Sequence, residues 1–227
     1  MAVILMKTTG SIQLDFQALK MQQLFAILTE ERKVKLLEEK ILSEGKVLPG
    51  SIIKVDGFLN HRVDTKFLNL VANQFKKYFD VGNITAVLTA EASGIPVATI
   101  CAHNYGVPLI FAKKAKSDNI ENGLYKSEVF SYTYRKTVTL ILSKEWLGPN
   151  DRVLIIDDFM ANGNAIHGLL DIVNQAGASL EGIGIVIEKG FQGGGDKFRE
   201  MKDVKYRALA VIDSIDGQKM TFRKFDE

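Results

Sequence analysis

Short apolar runs alternate with amphipathic stretches through most of this chain. Residues 84–89, 107–113, 152–156 and 183–188 are dominated by apolar positions and read as strands buried on both faces. Between them, residues 93–104 and 163–175 carry helical patterning. An earlier helix is predicted from Asp64, a side chain suited to an N-cap, to about Tyr78. It would present Phe67, Leu68, Val71, Ala72 and Phe75 on one face. Residues 52–55 predict a short strand, and residues 33–44 a charged helix that Gly45 stops. Strands separated by helices of this length imply right-handed βαβ crossovers. The predicted fold is therefore α/β, a mostly parallel twisted sheet with helices on both faces.

The alternation breaks twice. Residues 114–126 read as a long polar loop, followed by a hairpin of residues 129–134 and 137–143. A long loop inside a compact domain suggests a lid. Near the C-terminus, residues 204–225 predict two further short strands joined at Asp216-Gly217. Residues 1–35 stand apart. Ile12, Phe16, Leu19, Leu24, Phe25, Ile27 and Leu28 fit an amphipathic helix, read as a packing extension, an over-long start with Met21 as a later one, or a partner-binding helix. Residues 36–227 would then form the main domain.

Composition narrows the function classes. The 227 residues, 46% hydrophobic, suit one α/β domain. A net charge of +2 makes no electrostatic case for a nucleic-acid or membrane partner. Cys101 is the only cysteine, so no disulfide can form within the chain, which fits a cytoplasmic setting. No apolar run approaches the roughly 18 residues of a spanning helix, and no basic segment precedes the short apolar start to suggest a secretory signal. His61, His103 and His167 lack ligand spacing, so no histidine metal site is expected.

The chemistry concentrates in Val153-Leu154-Ile155-Ile156-Asp157-Asp158-Phe159-Met160-Ala161-Asn162-Gly163-Asn164-Ala165. Two acids close a buried strand, and a turn of small residues leads into a helix. In open α/β sheets ligands bind outside the carboxyl ends of the strands. Backbone N–H groups at such a helix N-terminus suit a phosphate. Acids beside a phosphate cradle indicate a sugar phosphate with a divalent cation. A second turn of this kind, Glu91-Ala92-Ser93-Gly94-Ile95-Pro96, lies one βα unit earlier, and Lys113 and Lys114 end the following strand.

The acidic turn in its strand–turn–helix context resembles the signature of the type I phosphoribosyltransferases. That resemblance implies phosphoribosyl pyrophosphate (PRPP) as co-substrate, with Mg²⁺. Ala161, Asn162, Gly163, Asn164 and Ala165 would bind its 5′-phosphate, and Asp157 and Asp158 would face its ribose hydroxyls as the catalytic acids. Ser93, Gly94, Lys113 and Lys114 would hold its pyrophosphate. The family also implies a homodimer, with no nucleic acid or membrane as partner. Within the family, residues 54–61, 112–114, 128–133, 153–165, 175–179 and 184–189 resemble in order the branch acting on xanthine. That implies xanthine binding by Ile53, Asn60 and Lys189, under a small purine-binding hood built from residues 45–63 and 188–227. Members acting on hypoxanthine and guanine typically carry an Asp three residues after the acid pair, where this chain has Ala161. The alternatives are a phosphoribosyltransferase for adenine, guanine or orotate, and a PRPP-sensing transcriptional regulator on the same fold.

Overall fold

The computed structural model describes residues 35–80, 82–115, 123–131 and 136–224. The amphipathic stretch before residue 35, the middle of the predicted lid and the tip of the predicted hairpin lie outside them.

Helix α1, described over residues 35–44, buries Leu37 and Ile41, four residues apart on one face. The Gly45 N–H closes it by donating to the Ile41 carbonyl at 2.9 Å. Strands β1 (Lys46–Leu48) and β2 (Ile52–Lys54) then form a small antiparallel hairpin with Val47 opposite Ile53. Three residues with one inward side chain are too few to show a period, and β1 was not foreseen. Helix α2 (Thr65–Phe75) begins where Asp64 caps it, accepting from the Phe67 N–H at 3.0 Å. It buries Leu68, Val71, Ala72 and Phe75, four of the five apolar positions on its predicted face.

The main sheet comprises β3 (Ala86–Ala90), β4 (Leu109–Ala115), β5 (Leu124–Ser131), β6 (Lys136–Ser143), β7 (Arg152–Met160), β8 (Ser179–Lys189), β9 (Tyr206–Asp216) and β10 (Lys219–Phe222). Their spatial order is β10-β9-β8-β7-β3-β4-β6-β5. The five central strands β9, β8, β7, β3 and β4 are mutually parallel. The edges are antiparallel: β10 on β9 and the β5–β6 hairpin on β4. Helix α3 (Ile95–Tyr105) links β3 to β4, α4 (Asn164–Ala176) links β7 to β8, and α5 (Gly194–Arg199) lies between β8 and β9.

Alternation along the strands sends side chains to two cores. Val87, Leu154 and Ile156 join α1, α2 and α3 on one face. Leu88, Val153 and Ile155 join α4 and α5 on the other. Each fully buried Val, Leu, Ile or Phe contributes roughly 1.5–3 kcal/mol of transfer free energy. The helices therefore do cover both faces.

Several boundaries differ from expectation, three of them at the site. Strand β7 continues four residues past Ile156, because β8 pairs with it as far as Met160 opposite Glu188. Strand β5 begins at Leu124, inside the stretch read as loop, because its register with β6 begins at Leu124 opposite Ser143. Helix α3 starts two residues late, because Ser93 and Gly94 form the turn before it. Pro96 at the start of α3 costs no hydrogen bond there.

Candidate active site

The carboxyl ends of β3 and β7, two adjacent parallel strands, open onto a cleft of about 240 Å³. The two turns singled out from the sequence follow these strands and meet across it.

Asp157 and Asp158 lie within β7, both buried. Asp157 Oδ1 accepts from the Asp158 N–H at 2.9 Å. Asp158 Oδ1 accepts from the Phe159 N–H and from the Ser93 hydroxyl, each at 3.0 Å. Asp158 Oδ2 accepts from the Asn60 amide at 2.8 Å. Asp158 thus joins the turn after β3, the loop after β2 and β7 itself. Burial first, and the neighbouring Asp158 charge second, raise the Asp157 pKa well above the ordinary carboxylate range.

The turn at residues 161–163 ends at Gly163, whose φ of 86° suits glycine. Residues 161–165 all line the cleft, and the first N–H groups of α4 lack intrahelical partners by geometry. One side chain of the turn reaches away from it. The Asn164 amide donates to the Phe130 carbonyl at 2.8 Å, fastening the turn to β5.

In the second turn, a Cβ on Gly94 would fall 2.3 Å from both Asp157 Oδ1 and the Thr89 hydroxyl. A side chain there would displace the acid, so glycine is required by the close approach of α3 to β7. Glu91 and Ser93 line the cleft, and Glu91 Oε1 accepts from the Lys114 N–H at 2.6 Å. Lys114 lines the cleft as well; Lys113, its neighbour on β4, is exposed but does not.

The three expected base-side residues are placed less uniformly. Asn60 reaches the acids directly. Lys189, at the end of β8, is half-buried with Nζ 3.5 Å from the Ser51 carbonyl and 6.0 Å from the Phe159 ring centre. Burial lowers its pKa. Ile53 is buried in the α1–α2 core, and like Asn60 and Lys189 it stands beside the cleft rather than among the residues that line it. The predicted hood exists as a joined unit: Gln218, in the β9–β10 turn, exchanges two hydrogen bonds with the Val47 backbone.

Two features were missed. Phe159 lines the cleft beneath Lys189, and its signal was its place directly after the acids. The other is a buried ionic cluster. Glu188, with no exposure, accepts from Arg199 Nη1 at 2.8 Å and Nη2 at 2.5 Å, and from the Tyr206 hydroxyl at 2.8 Å. This cluster seats α5 behind the turn at residues 161–163. The Gly194 N–H donates to the Ala161 carbonyl at 3.1 Å, and Phe198 packs against Gly163. No local sequence signal pairs Glu188 with Arg199.

Among the described residues no group of three or more His, Cys, Asp or Glu side chains is placed to hold a metal ion. None of their helices is long and apolar enough to cross a membrane.

Residues 63–213 match the model of the phosphoribosyl transferase domain. The chain belongs to the phosphoribosyltransferase family. It is 49% identical over 185 residues to a xanthine phosphoribosyltransferase of Lachnoclostridium phytofermentans, covering 82% of this chain and 95% of that one. To the xanthine phosphoribosyltransferase of Clostridium novyi it is 46% identical over 190 residues, 84% of this chain and 100% of the relative. Among solved structures, the fold matches adenine phosphoribosyltransferase from Rhodothermus marinus with a TM-score of 0.65 at 20% identity, covering 80% of this chain and 99% of that one. At that identity the likeness speaks for the phosphoribosyltransferase fold alone.

Proposed function

We propose that this phosphoribosyltransferase transfers the 5-phosphoribosyl group of PRPP to N9 of xanthine, giving xanthosine 5′-monophosphate (XMP) and pyrophosphate in purine salvage. The observation that carries this reading is the 49% identity spanning 95% of a xanthine phosphoribosyltransferase.

The cleft suits the division of labour the reaction needs. The turn at Ala161, Asn162, Gly163, Asn164 and Ala165 offers α4 N–H groups and the positive end of its dipole to the 5′-phosphate. Asp157 and Asp158 accept from the ribose hydroxyls. The negative charge that the pair carries favours the positive charge that develops at the anomeric carbon as pyrophosphate leaves. Ser93 and Gly94 place backbone near the pyrophosphate, and Lys114, with Lys113 beside it, adds positive charge. Phe159 and Asn60 flank the base. Lys189 donates to a purine oxygen, which suits xanthine because it carries carbonyls at both C2 and C6. Ile53 supplies an apolar wall for the base in this hood.

The C1′–O bond to pyrophosphate breaks, the C1′–N9 bond forms, and the purine proton passes to solvent. Ala161 stands at the family position for a carboxylate base, and xanthine, the more acidic purine, needs less help losing its proton. A pair of buried carboxylates beside a substrate pyrophosphate fits Mg²⁺, which usually keeps its waters and takes one or two carboxylates plus phosphate oxygens. Substrate oxygens and water would supply most of its ligands, with Asp157 and Asp158 holding the ribose hydroxyls beside it, and when bound it would neutralise the pyrophosphate. The enzyme acts as a homodimer in the cytoplasm, without nucleic-acid or membrane partners.

The test is consumption of xanthine by the purified protein with PRPP and Mg²⁺. Robust turnover is expected, lost by at least about 100-fold in the Asp157→Asn/Asp158→Asn double variant with the circular dichroism unchanged. A parent protein that binds PRPP without turning it over would instead favour a regulator.

A further inference from the structure

We propose that Asn60 is a positioning residue for Asp158, and that this one amide couples the ribose site to the base site. The proposal rests on the phosphoribosyl-transfer reading and concerns how the two halves of that site communicate.

The geometry is specific. Asp158 is 3% exposed. An ionised carboxylate offers about four acceptor positions. Oδ1 uses two, on the Ser93 hydroxyl and the Phe159 N–H, and Oδ2 uses one, on Asn60. One position is left on Oδ2 for a ribose hydroxyl, and the Asn60 bond sets the direction in which it lies. Asn60 is the donor from outside β7 that holds Oδ2, and without it a buried carboxylate loses the bond that orients its outer oxygen.

Asn60 is itself well held. The loop carrying it runs between Phe58 and Leu59, both fully buried, and Asp64. The Asp64 N–H donates to the Phe58 carbonyl at 3.0 Å, and the Arg62 N–H to the Asp56 carbonyl at 2.8 Å. A primary amide carries two N–H groups and one carbonyl. One N–H is committed to Asp158. The second N–H and the carbonyl remain as a donor–acceptor pair for a heterocycle. A base that engages that pair locks the amide, and the locked amide fixes Asp158. A ribose that engages Asp158 fixes the amide in turn. By linkage the two effects are equal.

The probe is ribose 5-phosphate, which fills the phosphate and ribose subsites without base or pyrophosphate. Calorimetry with the full chain should show that saturating xanthine tightens its binding to the parent protein. In Asn60→Ala, ribose 5-phosphate alone should bind about 5- to 30-fold more weakly, and the effect of xanthine should vanish. Asn60→Asp should be worse than Asn60→Ala, because a second carboxylate would face Asp158. A residue that merely contacts the base would raise the KM for xanthine and leave ribose 5-phosphate affinity unchanged. Equal affinity in the parent and both variants therefore overturns the proposal. So does a parent protein in which xanthine has no effect on ribose 5-phosphate, a result that needs no variant. Failure of ribose 5-phosphate to bind the parent at all would instead strike the phosphoribosyl-transfer reading itself.

Discussion

Asp157 is under opposing demands. Its position beside Asp158, under the turn at Gly94, suits a sugar phosphate, yet burial makes its charge costly. Because its pKa is raised in the folded protein, the protonated form is favoured there. Stability is then complete below the ordinary carboxylate range and falls as pH rises toward the raised value. Asp157→Asn should remove that loss. Thermal denaturation should find the variant with a higher Tm than the parent at pH 7–8, by roughly 2–4 °C for each kcal/mol gained. The gain should disappear toward pH 3. A variant less stable than the parent at pH 7–8 would show that the carboxylate is better accommodated than its burial implies. At this scale the sequence revealed the acids and both turns, because four apolar residues, two carboxylates and small residues are neighbours along the chain. It did not reveal that Asn60 reaches Asp158 across 98 positions, or that the Asn164 side chain turns away to Phe130. Such partners are set by tertiary packing.

The element with the least sequence signal is α5, six residues that include two glycines and no helical stripe. It is held by the buried charge of Glu188 and by close approach. A Cβ on Gly195 would fall 2.3–2.4 Å from the Glu188 carboxylate, and one on Gly194 would fall 2.1 Å from the Ala161 carbonyl. Arg199 also pairs with Asp196 at 2.7 Å, and Asp196 with Arg223 at 2.9 Å. Breaking a buried ion pair from one side costs more than the pair contributes, because a charge is left behind. Glu188→Ala should therefore lose about 3–5 kcal/mol in denaturant unfolding. A loss below about 1 kcal/mol would mean that Arg199 simply turns out to solvent. The strongly periodic elements were legible: α2 with its Asp64 cap, α4, and the four parallel strands read from apolar runs. The strand extensions were not, because Asp157 to Met160 and the residues before Ile183 pair through backbone whatever their side chains.

For the whole molecule, the order β10-β9-β8-β7-β3-β4-β6-β5 places β7 beside β3 although 61 residues separate the end of β3 from the start of β7. That arrangement brings both anion-suited turns to one cleft, and it follows from the βαβ alternation that the sequence carried. The hood is a separate device. It is assembled from the β1–β2 hairpin and the β9–β10 end, tied by Gln218 to Val47 and by Lys189 to Ser51. Its two halves lie 171 positions apart, so its likeness to the family suggested it and no local pattern could. If the hood chooses the base, specificity should be evident when bases compete. The decisive measurement supplies limiting PRPP and Mg²⁺ with equal concentrations of xanthine, guanine, hypoxanthine and adenine, and quantifies the nucleotides formed. XMP should dominate the products by at least about tenfold, as expected where a site's paired polar groups reject a base lacking them. Equal or greater formation of GMP, IMP or AMP would contradict the assignment to xanthine.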